Sequence, residues 1–347
     1  MKSLIHFLRL VRIGNLVVIG LTMCIIQIFI ASHGNSLFSQ SEIDYALEGL
    51  NDPDFLASSF IVYFQAYNLN WEFFFLVLSV VLIAAAGNVI NDYFDVKADR
   101  VNKPEKLIIG KHIKRRWAIM FNWIFNALGL GIAAYISYDN RNWWIVLIAF
   151  VIINFLWFYS AFYKRKLIVG NILVALMIGI VPIYVLFYNL PLDGYSIAEN
   201  SAYIFGTTYI VEVVLIISIL AFSINFMREI IKDIADIRGD LHLSAKTVPI
   251  VLGKKKTKII LIILSVPLLL LMLFYAVDVS LSIPMITTIV GQTPSFFLFY
   301  CCISMSALFV IISMFTLISA DKRKIYLLSS NFLKLAMVFG MISPLFL

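Results

Sequence analysis

The sequence predicts an all-α, multi-pass membrane protein in which about nine transmembrane helices surround a central cavity open toward the cytoplasmic side. Three observations lead to this prediction. The 347-residue chain is 62% hydrophobic and 14% charged, whereas a soluble domain is about half apolar and a quarter charged. Its apolar residues form runs of about 20 residues, the length that crosses a bilayer core. Its basic residues collect at one end of these runs.

The apolar runs are predicted to form nine membrane-spanning helices. In chain order, the spans are 11–32, 71–92, 117–136, 143–160, 168–189, 208–228, 257–278, 296–319 and 327–346. All nine are assigned to a single membrane domain covering residues 1–347. Between the first two spans, residues 33–70 contain no Lys or Arg and several acidic residues. This segment is predicted to be an outer-face insertion, either a surface cap or an interfacial helix.

Basic residues justify this order, because they alternate with the spans. They stand before or at the start of the first span, and in the loops after the second, fourth, sixth and eighth spans or within two residues of those loops. Of the 27 Lys and Arg residues, only Arg141 and Lys334 lie elsewhere. Since basic loops stay on the cytoplasmic side, we expect an integral plasma (inner) membrane protein with a cytoplasmic N-terminus and cytoplasmic loops at this end. The net charge of +7 then reflects membrane topology and anionic substrates. Neither nucleic acid nor a protein partner is expected.

Two acidic clusters at the ends of the second and sixth spans share the spacing D-x-x-D-x-x-x-D. The first motif occupies residues 91–99 and the second occupies residues 233–240. Residues at i, i+3 and i+7 fall on one face of a helix. Each motif therefore forms a column of carboxylates, which repel one another unless a cation lies between them. Such groups are costly at a membrane, so they indicate a functional site.

The two motifs belong to a weak internal repeat. Each is followed by a basic loop, a proline and a Gly-Lys pair, at 102–111 and at 246–254. Repeated halves of membrane proteins often form a site at their shared interface. We therefore expect the two columns to face one another near the cytoplasmic surface.

Carboxylates are the oxygen ligands that Mg²⁺ prefers, together with substrate phosphate oxygens. The predicted metal ligands are Asn91, Asp92, Asp95, Asp99, Asp233, Asp236 and Asp240. Among them Asp95, Asp99, Asp236 and Asp240 are the candidate catalytic residues, while Asp92 and Asp233 could instead orient the others. Nearby basic residues would bind a diphosphate: Arg100, Lys103, Lys106, Lys164, Arg228 and Lys232. The apolar spans suit the hydrocarbon tail of an isoprenyl diphosphate, and aromatic faces could stabilise an allylic cation.

These motifs resemble those of the UbiA-type intramembrane prenyltransferases, over nearly the whole chain. The first motif matches the family pattern N-D-x-x-D-x-x-x-D, and Asp236 and Asp240 match its D-x-x-x-D. The resemblance implies diphosphate-binding roles for Arg12, Asn15 and Asn88. Tyr159, Lys164 and Asn171 resemble the family's Tyr…Lys…Asn stretch, which implies that Tyr159 and Asn171 line an acceptor or cation pocket. One departure is Glu105-Lys106-Leu107, where the family usually has Arg-Pro-Leu.

The run 99–104 most resembles the family branch that acts on geranylgeranylglyceryl phosphate. This resemblance implies Mg²⁺-dependent transfer of a geranylgeranyl group from its diphosphate to that lipid, in ether-lipid synthesis. An alternative is prenylation of an aromatic quinone precursor, either 1,4-dihydroxy-2-naphthoate or 4-hydroxybenzoate. A non-enzyme alternative is a transporter of cations or polyprenyl phosphate, although the spans hold few ionisable residues near the midplane. Phosphatidyl transfer from a CDP-linked lipid fits less well, since its motif interleaves Gly and Ala-Arg among the acids.

Overall fold

Helices make up nearly all of the part of the chain that the structure describes, which is residues 2–34, 69–102, 104–189, 201–242, 244–290 and 296–347 of a computed structural model. The helices are α1 (Lys2–Leu10), α2 (Ile13–Gly34), α3 (Trp71–Asn102), α4 (Arg115–Asp139), α5 (Trp143–Ala161), α6 (Val169–Asn189), α7 (Ser201–His242), α8 (Val248–Leu252), α9 (Lys254–Val290), α10 (Phe296–Ile318) and α11 (Arg323–Ile342). Within these ranges, β-pairing is limited to one isolated bridge between Ile109 and Ile113. The all-α prediction is confirmed.

Nine of the helices in the described ranges are long and apolar enough to cross a membrane. They are α2 to α7 and α9 to α11, so the predicted spans are confirmed and the protein is an integral, multi-pass membrane protein. The predicted insertion at 33–70 falls almost wholly on residues 35–68, which lie outside the described residues, and it stays a prediction.

Both acidic motifs lie on continuations of membrane helices rather than in loops. Helix α3 continues beyond its apolar stretch to Asn102, and α7 continues to His242. No proline interrupts either extension; Pro104 comes two residues after Asn102, the last residue of α3, and begins a short 3₁₀ turn. Because the residue before a proline disfavours the helical conformation, α3 ends there. The motifs therefore extend from the end of the bundle as rigid helical turns; we call this end the motif end.

The two motif helices are the most buried of the nine spans. Helix α3 packs against α4, α5 and α7, and α7 packs against α6, α9 and α11. In lipid, close packing and interhelical hydrogen bonds hold helices together. The Ser79 hydroxyl, for example, donates to the carbonyl of Gly129 at 2.7 Å. A Cβ on Gly179 would lie 3.0 Å from the carbonyl oxygen of Ser218, so α6 and α7 are in backbone contact. This packing holds α3 and α7 in fixed positions on the two sides of the space between them.

Candidate active site

A cavity of about 990 Å³ lies between α2, α3, α5, α6, α7 and α11. Its lining is charged at the motif end and apolar farther from that end. All six aspartates of the two motifs line it. The helical face predicted from the i, i+3, i+7 spacing thus points inward on both α3 and α7, and the two columns share one cavity.

The structure brings most of the predicted site residues to this cavity. Those that line it are Arg12, Asn15, Asn88, Asn91, Asp92, Asp95, Asp99, Tyr159, Lys164, Asn171, Arg228, Lys232, Asp233, Asp236 and Asp240. Arg100 is exposed and is not among the described residues that line the cavity. Lys103 lies outside the described residues, and so does the side chain of Lys106.

Two basic side chains neutralise the first column. An Arg12 Nη2 donates to Asp92 Oδ1 at 2.6 Å, and Lys164 Nζ donates to Asn91 Oδ1 at 3.0 Å while forming an ion pair with Asp95. Burial opposes the charge of Lys164, but the Asp95 carboxylate and Tyr159 together more than offset burial, so the pKa of Lys164 lies above its ordinary value. The Lys164 ammonium group therefore stays protonated at physiological pH.

Local backbone geometry places both of these cations. Arg12 forms the turn between α1 and α2 with a positive φ of 56°, a conformation that costs a non-glycine residue about 1–2 kcal/mol. Lys164 lies in a single 3₁₀ turn, Tyr163–Arg165, between α5 and α6. Gly170 packs against that turn, since a Cβ there would lie 3.0 Å from Lys164 Cα. The absence of a side chain at Gly170 lets α6 approach the turn that carries Lys164.

The second column has its own polar partners. Asn171 Nδ2 donates to Asp233 Oδ2 at 2.7 Å, so Asn171, which the resemblance places in an acceptor pocket, here contacts the second motif. At the start of α11, Arg323 Nη2 donates to Asp236 Oδ1 at 2.9 Å. Each column thus carries its own positively charged partners in addition to neutral amides.

Several cavity residues do not stand out as site residues in the sequence, among them Glu229, Arg323 and Lys334. Glu229 forms an ion pair with Lys232 at 2.5 Å, and because it precedes Asp233 by four residues it extends the second column by one helical turn. The spacing of four residues between Glu229 and Asp233 is the sequence signal that identifies Glu229 as part of the column. Lys334 is an ionisable residue within a span, which is itself a functional signal. Arg323 gave no signal beyond its place in a basic loop.

Two stacked imidazole rings also line the cavity. The rings of His6 and His112 lie 3.8 Å apart and nearly parallel, and both residues line the cavity together with Arg9 and Glu105. Burial, followed by the charges of His112 and Arg9, lowers the pKa of His6, which favours its neutral form at neutral pH.

The donor chemistry of the two columns fits Mg²⁺ held together with a phosphate. Among the described residues, no three His, Cys, Asp or Glu side chains form a group that could hold a metal ion by themselves. Mg²⁺ usually takes only one or two carboxylates and completes its shell with phosphate oxygens and water. Carboxylates on both sides of one cavity, with cations between them, match that requirement.

Below the charged region, aliphatic side chains line the cavity, including Val80, Ile83, Leu156, Val174, Met177 and Ile178. Tyr159 and Asn88 lie on helices that contribute to both regions. An amphipathic ligand with an anionic head and a hydrocarbon tail is therefore matched along the length of the cavity.

Comparisons with known proteins find relatives of this chain in sequence. The chain is 36% identical over 182 residues to a digeranylgeranylglyceryl phosphate synthase from Thermococcus gammatolerans, a match that covers 52% of this chain and 56% of the relative. A protein of the same name from Thermococcus kodakarensis is 34% identical over 179 residues, which is 52% of this chain and 56% of that relative. The chain thus spans little more than half the length of these curated relatives.

Solved structures show the same fold. A structure described for digeranylgeranylglyceryl phosphate synthase in membranes aligns with a TM-score of 0.55 at 22% identity, covering 99% of this chain and 98% of the other. The apo structure of a UbiA homologue from Aeropyrum pernix K1 aligns with a TM-score of 0.55 at 13% identity, covering 92% and 95%. The model of the UbiA prenyltransferase family matches residues 55–333. The chain therefore belongs to the UbiA prenyltransferase family.

Proposed function

We propose that this protein transfers a geranylgeranyl group from geranylgeranyl diphosphate to the free hydroxyl of geranylgeranylglyceryl phosphate, with Mg²⁺ as cofactor. One observation carries the proposal: two facing carboxylate columns form the charged end of a cavity whose other end is apolar. That arrangement matches a diphosphate joined to a long hydrocarbon chain. The names of the two Thermococcus relatives support this choice of acceptor.

The residues of the two motifs would hold the metal: Asn91, Asp92, Asp95, Asp99, Asp233, Asp236 and Asp240. Bound there, Mg²⁺ would neutralise the charge that develops on the departing diphosphate. The protein's own cations would share this task. Arg12, Lys164 and Arg323 each contact a carboxylate, and each can exchange that carboxylate for a phosphate oxygen, which forms a charge-assisted hydrogen bond.

The reaction breaks the bond between C1 of the prenyl group and the diphosphate oxygen, and that oxygen keeps the electron pair. The allylic C1 becomes positively charged, and the ring face of Tyr159 can stabilise this charge. The acceptor hydroxyl oxygen then bonds to C1, and its proton passes to the departing diphosphate. The aliphatic lower cavity keeps water away from the allylic carbon, which would otherwise be hydrolysed.

The protein is proposed to lie in the plasma membrane, with the loops at its motif end on the cytoplasmic side. Nearly all basic residues belong to this end, and basic loops are retained on the cytoplasmic side. Water-soluble diphosphate product could then leave from the charged end of the cavity directly into the cytoplasm.

The proposal is tested by incubating purified protein with Mg²⁺, labelled geranylgeranyl diphosphate and a panel of acceptors. The panel contains geranylgeranylglyceryl phosphate, 1,4-dihydroxy-2-naphthoate and 4-hydroxybenzoate, and mass spectrometry identifies the product. We expect an ether-linked digeranylgeranyl product and no ring-alkylated product. Transfer to an aromatic ring alone would replace the lipid acceptor with a quinone precursor, and the absence of all products would contradict the proposal.

Substituting Gly170 with Ala is expected to lower transfer activity by about tenfold or more, because the new Cβ would press on the backbone of Lys164 and move its ammonium group. Displacements of about 1 Å at a catalytic site cost up to 10²-fold in rate. A steady-state assay measures the loss. The matched control is Gly131→Ala on α4, where a Cβ would meet nothing within 4 Å; it should behave as wild type. Full activity of Gly170→Ala would show that the turn tolerates displacement.

A further inference from the structure

Lys334 is a cation on the inner surface of α11 that the mechanism above does not use. It lies about three helical turns, or about 16 Å along the axis, from Arg323 at the start of α11, and it lines the same cavity as the acidic columns. Its Nζ donates to Asn15 Oδ1 at 3.2 Å. Lysine side chains on a helix point back toward its N-terminus, so Nζ is directed toward the motif end.

The contacts of Lys334 differ from those of the other cavity cations. Arg12, Lys164 and Arg323 each form an ion pair with an aspartate, whereas the hydrogen-bond partner of Lys334 among the described residues is the neutral amide of Asn15. Arg228 is close enough to interact electrostatically with it. Arg228 belongs to α7 and already pairs with Glu229 at 3.5 Å, so the repulsion between the two cations leaves Lys334 as the one that an additional anion would stabilise most.

The surroundings of Lys334 separate it from the diphosphate region. The acidic columns belong to α3 and α7, while Lys334 and Asn15 belong to α11 and α2. Next to this pair the cavity wall is formed by Val18, Thr22, Met337 and Met341. A second amphipathic molecule could place an anionic head at Lys334 and its chain against this wall while the diphosphate occupies the columns.

We propose that Lys334, positioned by Asn15, binds the phosphate monoester of the acceptor lipid and thereby selects phosphorylated acceptors over neutral ones. This inference rests on the proposed function, since it assigns the second of the two anionic substrates. The amide oxygen of Asn15, which the resemblance assigns to the diphosphate, would instead hold the ammonium group of Lys334 at the boundary between the charged and apolar parts of the cavity.

The test compares Lys334→Gln, Lys334→Arg and wild type in steady-state transfer, with geranylgeranylglyceryl phosphate and with its dephosphorylated form as acceptors. We expect Lys334→Gln to raise the KM of the phosphorylated acceptor by about tenfold or more, the size of one lost charge-assisted hydrogen bond. The KM of geranylgeranyl diphosphate and all values with the dephosphorylated acceptor should stay at wild-type levels. Lys334→Arg should restore most of the affinity.

The matched control is Lys324→Gln, which removes an exposed lysine near the start of the same helix and should change neither KM. Asn15→Ala serves as a second variant and should raise the KM of the phosphorylated acceptor by a smaller factor. If Lys334→Gln raises the KM of the diphosphate instead, or affects both acceptors equally, the inference is overturned.

A binding measurement separates this inference from the proposed function. The phosphorylated acceptor should raise the Tm of wild-type protein in detergent and should not raise that of Lys334→Gln. A shift confined to wild type, without any transfer, would support the Lys334 site and contradict the proposed reaction. If transfer occurs but the acceptor raises the Tm of wild type and of Lys334→Gln equally, or raises neither, the proposed reaction is retained and the Lys334 site is rejected.

Discussion

Replacing Asp95 with Asn is expected to reduce prenyl transfer by about 10²- to 10³-fold or more, the cost of removing a preorganised charge at a reacting centre. The amide keeps the shape of the carboxylate but loses the negative charge that would attract Mg²⁺, and it leaves Lys164 without its ion-pair partner. Asp236→Asn should have the same effect in the second column, where it removes the partner of Arg323. Product formation measured at saturating Mg²⁺ tests both variants.

The fold should survive these two substitutions. Asp95 and Asp236 lie on helical extensions rather than in the packed core, and their side chains are 15% and 21% exposed. We therefore expect Tm in detergent to change by less than about 5 °C. The matched control is Asp139→Asn, at the end of α4 opposite the motif end, which should retain full activity. Full activity in both Asp95→Asn and Asp236→Asn would remove the metal-binding role of the columns.

Removing divalent metal with a chelator is expected to abolish transfer, and adding Mg²⁺ back should restore it. Without the metal, the diphosphate would face eight acidic side chains of the cavity, those of the two motifs together with Glu105 and Glu229, and only the basic side chains would attract it. Diphosphate binding should weaken along with transfer, which can be measured by displacement of a labelled donor.

The helical fold should be unaffected by chelation, because Arg12, Lys164 and Arg323 already neutralise part of the columns. Circular dichroism before and after metal removal checks this expectation, and the restored rate on re-addition serves as the internal control. Transfer that continues undiminished in excess chelator would exclude Mg²⁺ as the cofactor.

The nine spans could be predicted from sequence because the length and apolarity of each span are properties of one short stretch of chain. Span length and apolarity are set by the thickness of the bilayer, and all nine predicted spans agree with helices of the structure. The continuation of α3 and α7 beyond their spans was less evident, because hydropathy marks where the apolar stretch ends and not where the helix ends. Pro104 is the stronger signal for the end of α3.

The acidic columns were also readable from sequence, since helical spacing alone places three carboxylates on one face. The need for positive charge among them followed from their mutual repulsion. Which basic residues supply that positive charge could not be predicted from the sequence. The sequence assigns Lys164 and Arg12 only to the diphosphate, whereas in the structure they contact Asp95 and Asp92.

The sequence by itself determined the nine spans, the end of the bundle at which charge collects, and the two carboxylate faces, because each depends on residues within a few helical turns of one another. Only the tertiary structure decided which cation meets which partner. Arg323 reaches Asp236 across 87 residues, and Lys334 reaches Asn15 across 319. Such pairs depend on how helices rotate and tilt as their side chains pack, and no local spacing in the chain encodes that.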